Sequence, residues 1–207
     1  MNFKKTAKQL LILGLLTNTA LSISFADNMD MDMHAHHHHH EMKVATTKSQ
    51  VNITLPDVDL IRQDKKNVKL IEEVNDGRAV VISFVYTTCT AVCPMTSQIL
   101  FNLQEKLGSQ FNKVHIMSLS IDPENDTPDK LLDYAKKYHA KNAWQHYTST
   151  EEVSIQIQKA FGAYRGDKMN HTPLTLIKGP HSSNWVKIDG FATPDDLYTE
   201  IQKLIAE

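Results

Sequence analysis

Apolar positions along this chain change period several times, and each change marks an element. Residues 51–55 (VNITL) alternate apolar and polar and stop at Pro56, while residues 58–61 and 67–70 flank a polar turn at 63–66. That is the pattern of a β-hairpin opening a domain. Residues 70–75 fit one helical turn closed by Asp76-Gly77. Residues 79–86 (AVVISFVY) hold seven apolar residues in eight, which predicts a strand buried on both faces. From Thr90 the period becomes helical: Ile99, Leu103 and Leu107 recur every four residues, and Gly108 supplies a stop. Residues 114–121 (VHIMSLSI) read as the next strand. Thr127 as N-cap with Pro128 behind it opens a helix whose apolar face is Leu131, Leu132, Ala135 and Tyr138.

Residues 144–148 predict a short strand, and Ser149 with Glu152 forms a capping box for a helix that buries Val153, Ile157, Ala160 and Phe161. Gly162 ends that helix. Residues 174–178 and 185–188, joined by a turn at 179–184, make a second hairpin, and Thr193-Pro194 caps a last helix buried through Leu197, Ile201, Leu204 and Ile205. Strands alternating with helices, with a hairpin near each end, predict an α/β layered domain with a mixed sheet.

The first 26 residues stand apart from this domain. Lys4, Lys5 and Lys8 precede a short apolar run at 10–16, and Ser24-Phe25-Ala26 places small residues at −3 and −1 of a cleavage point before Asp27. The charge-free span at 9–26 is diluted by Thr17, Asn18, Thr19, Ser22 and Ser24, which favours a cleaved export signal over an uncleaved anchor. Export by a short basic signal points to the bacterial periplasm, with membrane contact only through this segment if it stays attached. In that oxidising compartment two cysteines can pair. A net charge of −2 with mixed signs excludes nucleic-acid binding.

Residues 27–50 contain DNMDMDMHAHHHHHEM followed by a short polar linker. The segment has no apolar period and is expected to be a disordered tail. Met29, Met31 and Met33 offer thioethers that suit Cu(I), while His34, His36, His37, His38, His39 and His40 offer imidazoles that suit Cu(II), Ni or Zn. The composition reads as auxiliary metal capture. The folded domain is then expected at 51–207.

Cys89 and Cys93 are the only cysteines in 207 residues, and they follow the apolar strand directly. Four-residue spacing at a helix start lets two thiols share a face, where unpaired N–H groups lower a thiol's pKa. A purely structural disulfide closing so short a loop would stabilise little. Redox enzymes of the thioredoxin type space their cysteines one residue tighter, which leans this pair toward metal. Two thiolates and an imidazole make a soft, low-coordinate set that suits Cu(I) and, less well, Cu(II).

Residues 84–94 (FVYTTCTAVCP) resemble the C-x-x-x-C-P signature of the SCO/SenC family, and residues 120–128 (SIDPENDTP) are similar to its S-x-D-P-x-x-D-T-P segment. The resemblance extends through His171-Thr172 and covers about residues 50 to 205. It implies a thioredoxin-like fold, a mixed central sheet flanked by helices with N-terminal and inserted β-hairpins. It further implies a copper ion held by Cys89, Cys93 and His171, delivery to a cuproprotein client such as the dinuclear centre of a cytochrome c oxidase subunit, and an upstream copper donor. The chain departs from the family where an acid and a proline often stand between the cysteines, here Thr90-Ala91-Val92, and where Asn170 replaces an aspartate before the histidine. Thr172-Pro173 ahead of a strand is similar to the proline loop of thioredoxin-type enzymes. It keeps open a thiol–disulfide oxidoreductase in which Cys89 and Cys93 are catalytic, Cys89 being the nucleophile. A third reading is copper buffering by the tail. His115, His139, His146 and His181 carry no motif. No proline occurs between Pro56 and Pro94, so the peroxiredoxin pattern is absent.

Overall fold

A computed structural model describes residues 46–206. The export segment and the Met/His run lie outside the described residues. Eight strands form one sheet: β1 (Thr47–Asn52), β2 (Asp59–Arg62), β3 (Asn67–Lys69), β4 (Ala79–Val85), β5 (Val114–Ser120), β6 (Trp144–Thr148), β7 (Leu174–Lys178) and β8 (Asn184–Asp189). Their spatial order is β1-β8-β7-β4-β5-β6-β2-β3. β4, β5 and β6 run parallel, and every other neighbouring pair is antiparallel. The helices are α1 (Leu70–Val74), α2 (Val92–Leu107), α3 (Pro128–Lys137), α4 (Glu151–Ala160) and α5 (Pro194–Ala206).

The period-two alternation of β4, buried on both faces, explains why its run is apolar at both parities. Val80, Ile82 and Phe84 pack with α1 and α4 through Leu70, Val74, Ile157 and Phe161. Ala79 and Val81 point the other way, onto Leu100 and Leu103 of α2 and Leu197 and Ile201 of α5. β4 is thus covered on both faces, and its C-terminal end is the one exit toward the cysteines.

Three expectations are corrected. Residues 51–55 do not form the first strand: β1 begins at Thr47, inside the expected linker, and pairs with β8 from Thr47↔Asp189 to Asn52↔Asn184. The polar run TKSQ tolerates this because an edge strand faces water, and its backbone pairing with β8 decides its register. The expected β2–β3 hairpin is present, but at the opposite edge, with β2 paired to β6. The capping box is also displaced: Thr150, not Ser149, caps α4, its side chain accepting from the Val153 N–H at 3.3 Å. Thr150→Ala is therefore expected to cost ~1 kcal/mol in thermal or denaturant unfolding, with Ser149→Ala close to neutral. Gly162 follows α4 at φ +67, a left-handed conformation that glycine enters without strain.

Candidate functional site

The α2 helix starts at Val92, two residues later than the spacing predicts, and this changes the relation of the two thiols. Cys93 lies in the first turn and is fully buried, while Cys89 sits in the preceding loop and is half-buried. The expected shared helical face does not exist. The N-cap residue, Ala91, has no side-chain acceptor, and the Cys89 sulfur takes the Cys93 N–H at 3.3 Å instead. Cys89 therefore acts as the helix cap. Both cysteines are free thiols.

This arrangement drives the two pKa values apart. Burial alone would push Cys89 up, but the N–H groups of Cys93 and Ala91, the Cys93 thiol and the Tyr86 hydroxyl outweigh it and bring it below the ordinary range. Burial pushes Cys93 far above the ordinary range, and the neighbouring Cys89 charge adds to the shift. Near neutral pH the site holds one thiolate-prone sulfur at the surface and one protonated thiol beneath it.

Asp126 fixes the loop that carries Cys89. Its fully buried carboxylate accepts from the Thr87 N–H at 3.1 Å, the Thr87 hydroxyl at 2.6 Å and the Ser120 hydroxyl at 2.6 Å. Ser120 in turn accepts from the Asp122 N–H at 3.0 Å. The acidic segment after β5 thereby grips the cysteine loop after β4, because β4 and β5 are parallel neighbours and end side by side.

His171 approaches from the β7 side. The β4–β7 ladder stops at Ser83↔Thr175, Pro173 offers no N–H beyond it, and the His171 ring stands beside the Phe84 carbonyl. Burial lowers the His171 pKa, the Phe84 carbonyl raises it, and the Arg165 charge lowers it again, with a net fall. The imidazole is neutral at pH 7. Among the described residues, no group of three or more His, Cys, Asp or Glu side chains stands close enough to hold a metal ion. The structure brings Cys89 and Cys93 together, whereas His171 stands beside Phe84 near the end of the same strand.

Among the described residues, the other histidines take no part. His139 and His181 are exposed, His115 is buried against Asp76 and Tyr147, and His146 bonds Gln63 at 3.0 Å with burial lowering its pKa to about 3.

Several side chains at the site escaped sequence reasoning. The Tyr86 hydroxyl donates to the Met169 sulfur at 3.9 Å, Tyr86 packs with Cys93 and Cys89, and desolvation together with Cys89 pushes its pKa to about 12. Lys168 pairs with Asp122 at 2.6 Å and lies over the Tyr86 ring. The one hint in the chain was Met169's place two residues before His171.

The SCO1/SenC family profile matches residues 46–206. The SCO1 protein homolog of Bacillus subtilis (strain 168) is 32% identical over 165 residues, spanning 75% of this chain and 84% of that protein. A solved structure of BsSco, described as a member of the Sco family of cytochrome c oxidase assembly proteins with a disulfide switch, superposes with a TM-score of 0.63. It is 28% identical and covers 76% of this chain and 96% of that one. Arabidopsis thaliana ScoI with copper bound shares the fold at a TM-score of 0.62 and 24% identity, over 73% of this chain and 97% of that one. Matched from the first strand to the last helix, the chain belongs to the SCO1/SenC family.

Proposed function

We propose that this protein is an exported copper chaperone. In this reading it works in the periplasm, binds one copper ion at Cys89 and Cys93 with His171 as third ligand, and passes the ion to a cuproprotein by ligand exchange. The observation that carries the reading is the unequal thiol pair: an accessible, thiolate-prone Cys89 can meet a soft ion first, and the buried Cys93 closes on it by losing a proton. His171, already neutral, joins from beside the Phe84 carbonyl. The donor set of two sulfurs and an imidazole suits Cu(I) and, less well, Cu(II). A cytochrome c oxidase subunit as client, an upstream copper donor and the Met/His segment as auxiliary collector complete the proposal.

The proton released from Cys93 sets the test. Because the Cys93 pKa lies far above neutral, that thiol is protonated from about pH 6 to 8 and must lose its proton on binding at every pH in that window. Cys89, shifted below the ordinary range, contributes a second proton only at the acidic end. Cu(I) titration of the reduced full chain, followed by thiolate-to-copper absorption, should reach one equivalent at the thiols. The apparent affinity should rise about tenfold per pH unit for each proton released, with the slope flattening toward one proton as pH climbs. An affinity independent of pH would count against thiolate ligation.

The same asymmetry favours a second reading, thiol–disulfide exchange with a client's copper-ligating cysteines. The Cys89 thiolate would attack a client disulfide to form a mixed disulfide, and deprotonated Cys93 would displace the client thiol. Two electrons then pass from the dithiol to the client. A Cys93→Ser chain that accumulates the mixed disulfide with an oxidised client domain supports this second role, and one that forms none removes it.

A further inference from the structure

Three methionines lie among the described residues, and they are placed very differently. Met117 is fully buried in the core, Met95 is half-exposed on α2, and Met169 is 73% exposed. A single exposed apolar side chain is unremarkable on a protein surface. Met169, however, is held where it stands. Its N–H donates to the Asp167 carboxylate at 2.8 Å within a 3-10 turn, Lys168–Asn170. That turn is tied down by the Lys168–Asp122 ion pair at 2.6 Å, on the same segment that grips the cysteine loop through Asp126.

The Met169 thioether faces the cysteines through one group. The Tyr86 hydroxyl donates to the Met169 sulfur at 3.9 Å, and Tyr86 packs in one cluster with Cys93 and Cys89. Through Tyr86 the thioether and the thiol pair are neighbours. A soft cation taken between them would meet sulfur on both sides. His171, the other neighbour, stands beside the Phe84 carbonyl.

We propose that Met169 is a thioether ligand of the thiol pair, binding Cu(I) together with Cys89 as the ion enters or leaves. The inference rests on copper binding by Cys89 and Cys93 and adds a third sulfur to that site. Thioether is a soft ligand matched to Cu(I) and poor for harder ions. The side chain has three rotatable bonds and is largely exposed, so it is free to swing toward an incoming ion. Ion transfer then has two stages. A sulfur-rich entry position is formed by Met169 and Cys89, and a buried position is formed by Cys89, Cys93 and His171.

The test uses the reduced full chain carrying [methyl-13C]methionine, with the Met169 resonance assigned by Met169→Leu, which keeps the volume and removes the sulfur. One equivalent of Cu(I) is added while thiolate-to-copper absorption reports occupancy of the cysteines. The Met169 methyl resonance should shift as the thiols load, with that of Met117 unmoved. Met169→Leu should bind Cu(I) at least about tenfold more weakly in competition with a chromophoric chelator, the lower end of what even an outer-shell loss costs. An unmoved Met169 methyl at full thiol loading overturns the inference and leaves the chaperone reading intact. So does a shift with unchanged affinity in Met169→Leu, which reports proximity alone. Absence of any thiolate-to-copper absorption overturns the chaperone reading, and this inference with it.

Discussion

Replacing either cysteine with serine should remove Cu(I) from the thiol site, while the two variants diverge in stability. Each loss takes away a first ligand, so the affinity should fall beyond the roughly 100-fold upper range measured for outer-shell partners. Stability separates them because the sulfurs do different structural work. Cys89 caps α2 by accepting the Cys93 N–H, and a serine oxygen is a good acceptor in that role, so Cys89→Ser should unfold at an unchanged or slightly higher temperature. Cys93 is fully buried beside Val85 and Tyr86, and a hydroxyl there must be desolvated. Cys93→Ser should therefore cost about 1–3 kcal/mol. Calorimetry of the metal-free variants reads this difference. Equal destabilisation by both substitutions would mean that Cys89 does not cap the helix.

Asp126→Ala should be the most damaging change outside the sulfurs. The carboxylate collects three donors at a fully buried position, two from Thr87 and one from Ser120, and alanine leaves them without a partner. Each buried donor left unsatisfied costs about 1–3 kcal/mol, and relaxation recovers part of the sum, so a loss of about 3 kcal/mol is expected. At this chain length that corresponds to a fall of roughly 6–12 °C in melting temperature. The damage should extend to function, because Thr87 stands two residues before Cys89 and its hold decides where the Cys89 sulfur meets the helix N-terminus. Alkylation of Cys89 should then proceed with the ordinary pH dependence of a free thiol. Asp126→Asn should retain much of both properties, since its carbonyl still accepts from Thr87 and the Ser120 hydroxyl can turn to accept from the amide. If Asp126→Ala melts with the parent chain, the clamp contributes nothing.

Much of this architecture could be read along the chain because the signals are local. A strand covered on both faces needs apolar residues at both parities, and 79–86 shows that. The stripes at Leu103–Leu107 and Leu197–Ile201 mark helix faces that pack against β4, while on α2 Leu100 is the buried residue and the expected Ile99 is only partly buried. Thr127 and Pro128 open α3 where expected, the threonine accepting from the Lys130 N–H. The edge strand was illegible, since TKSQVN has no apolar stripe and its pairing is carried by backbone groups that every residue possesses. The capping of α4 was shifted by one residue because Ser149 and Thr150 are chemically equivalent candidates, and only the chain's path out of β6 chooses between them.

At the site the division is sharper. The sequence by itself determined which atoms are available: two thiols after a buried strand, a histidine before another strand, and an acidic segment between them. Only the tertiary structure decided what each does. It made the thiols unequal by starting the helix between them, set Asp126 under Thr87 across 39 residues, put His171 beside the Phe84 carbonyl and brought Met169 to Tyr86 across 83 residues. The physical reason is that burial and hydrogen-bond partnership, which set pKa and ligand order, depend on neighbours in space. Those neighbours come from the C-terminal ends of β4 and β5 and the start of β7, which meet at one end of the sheet.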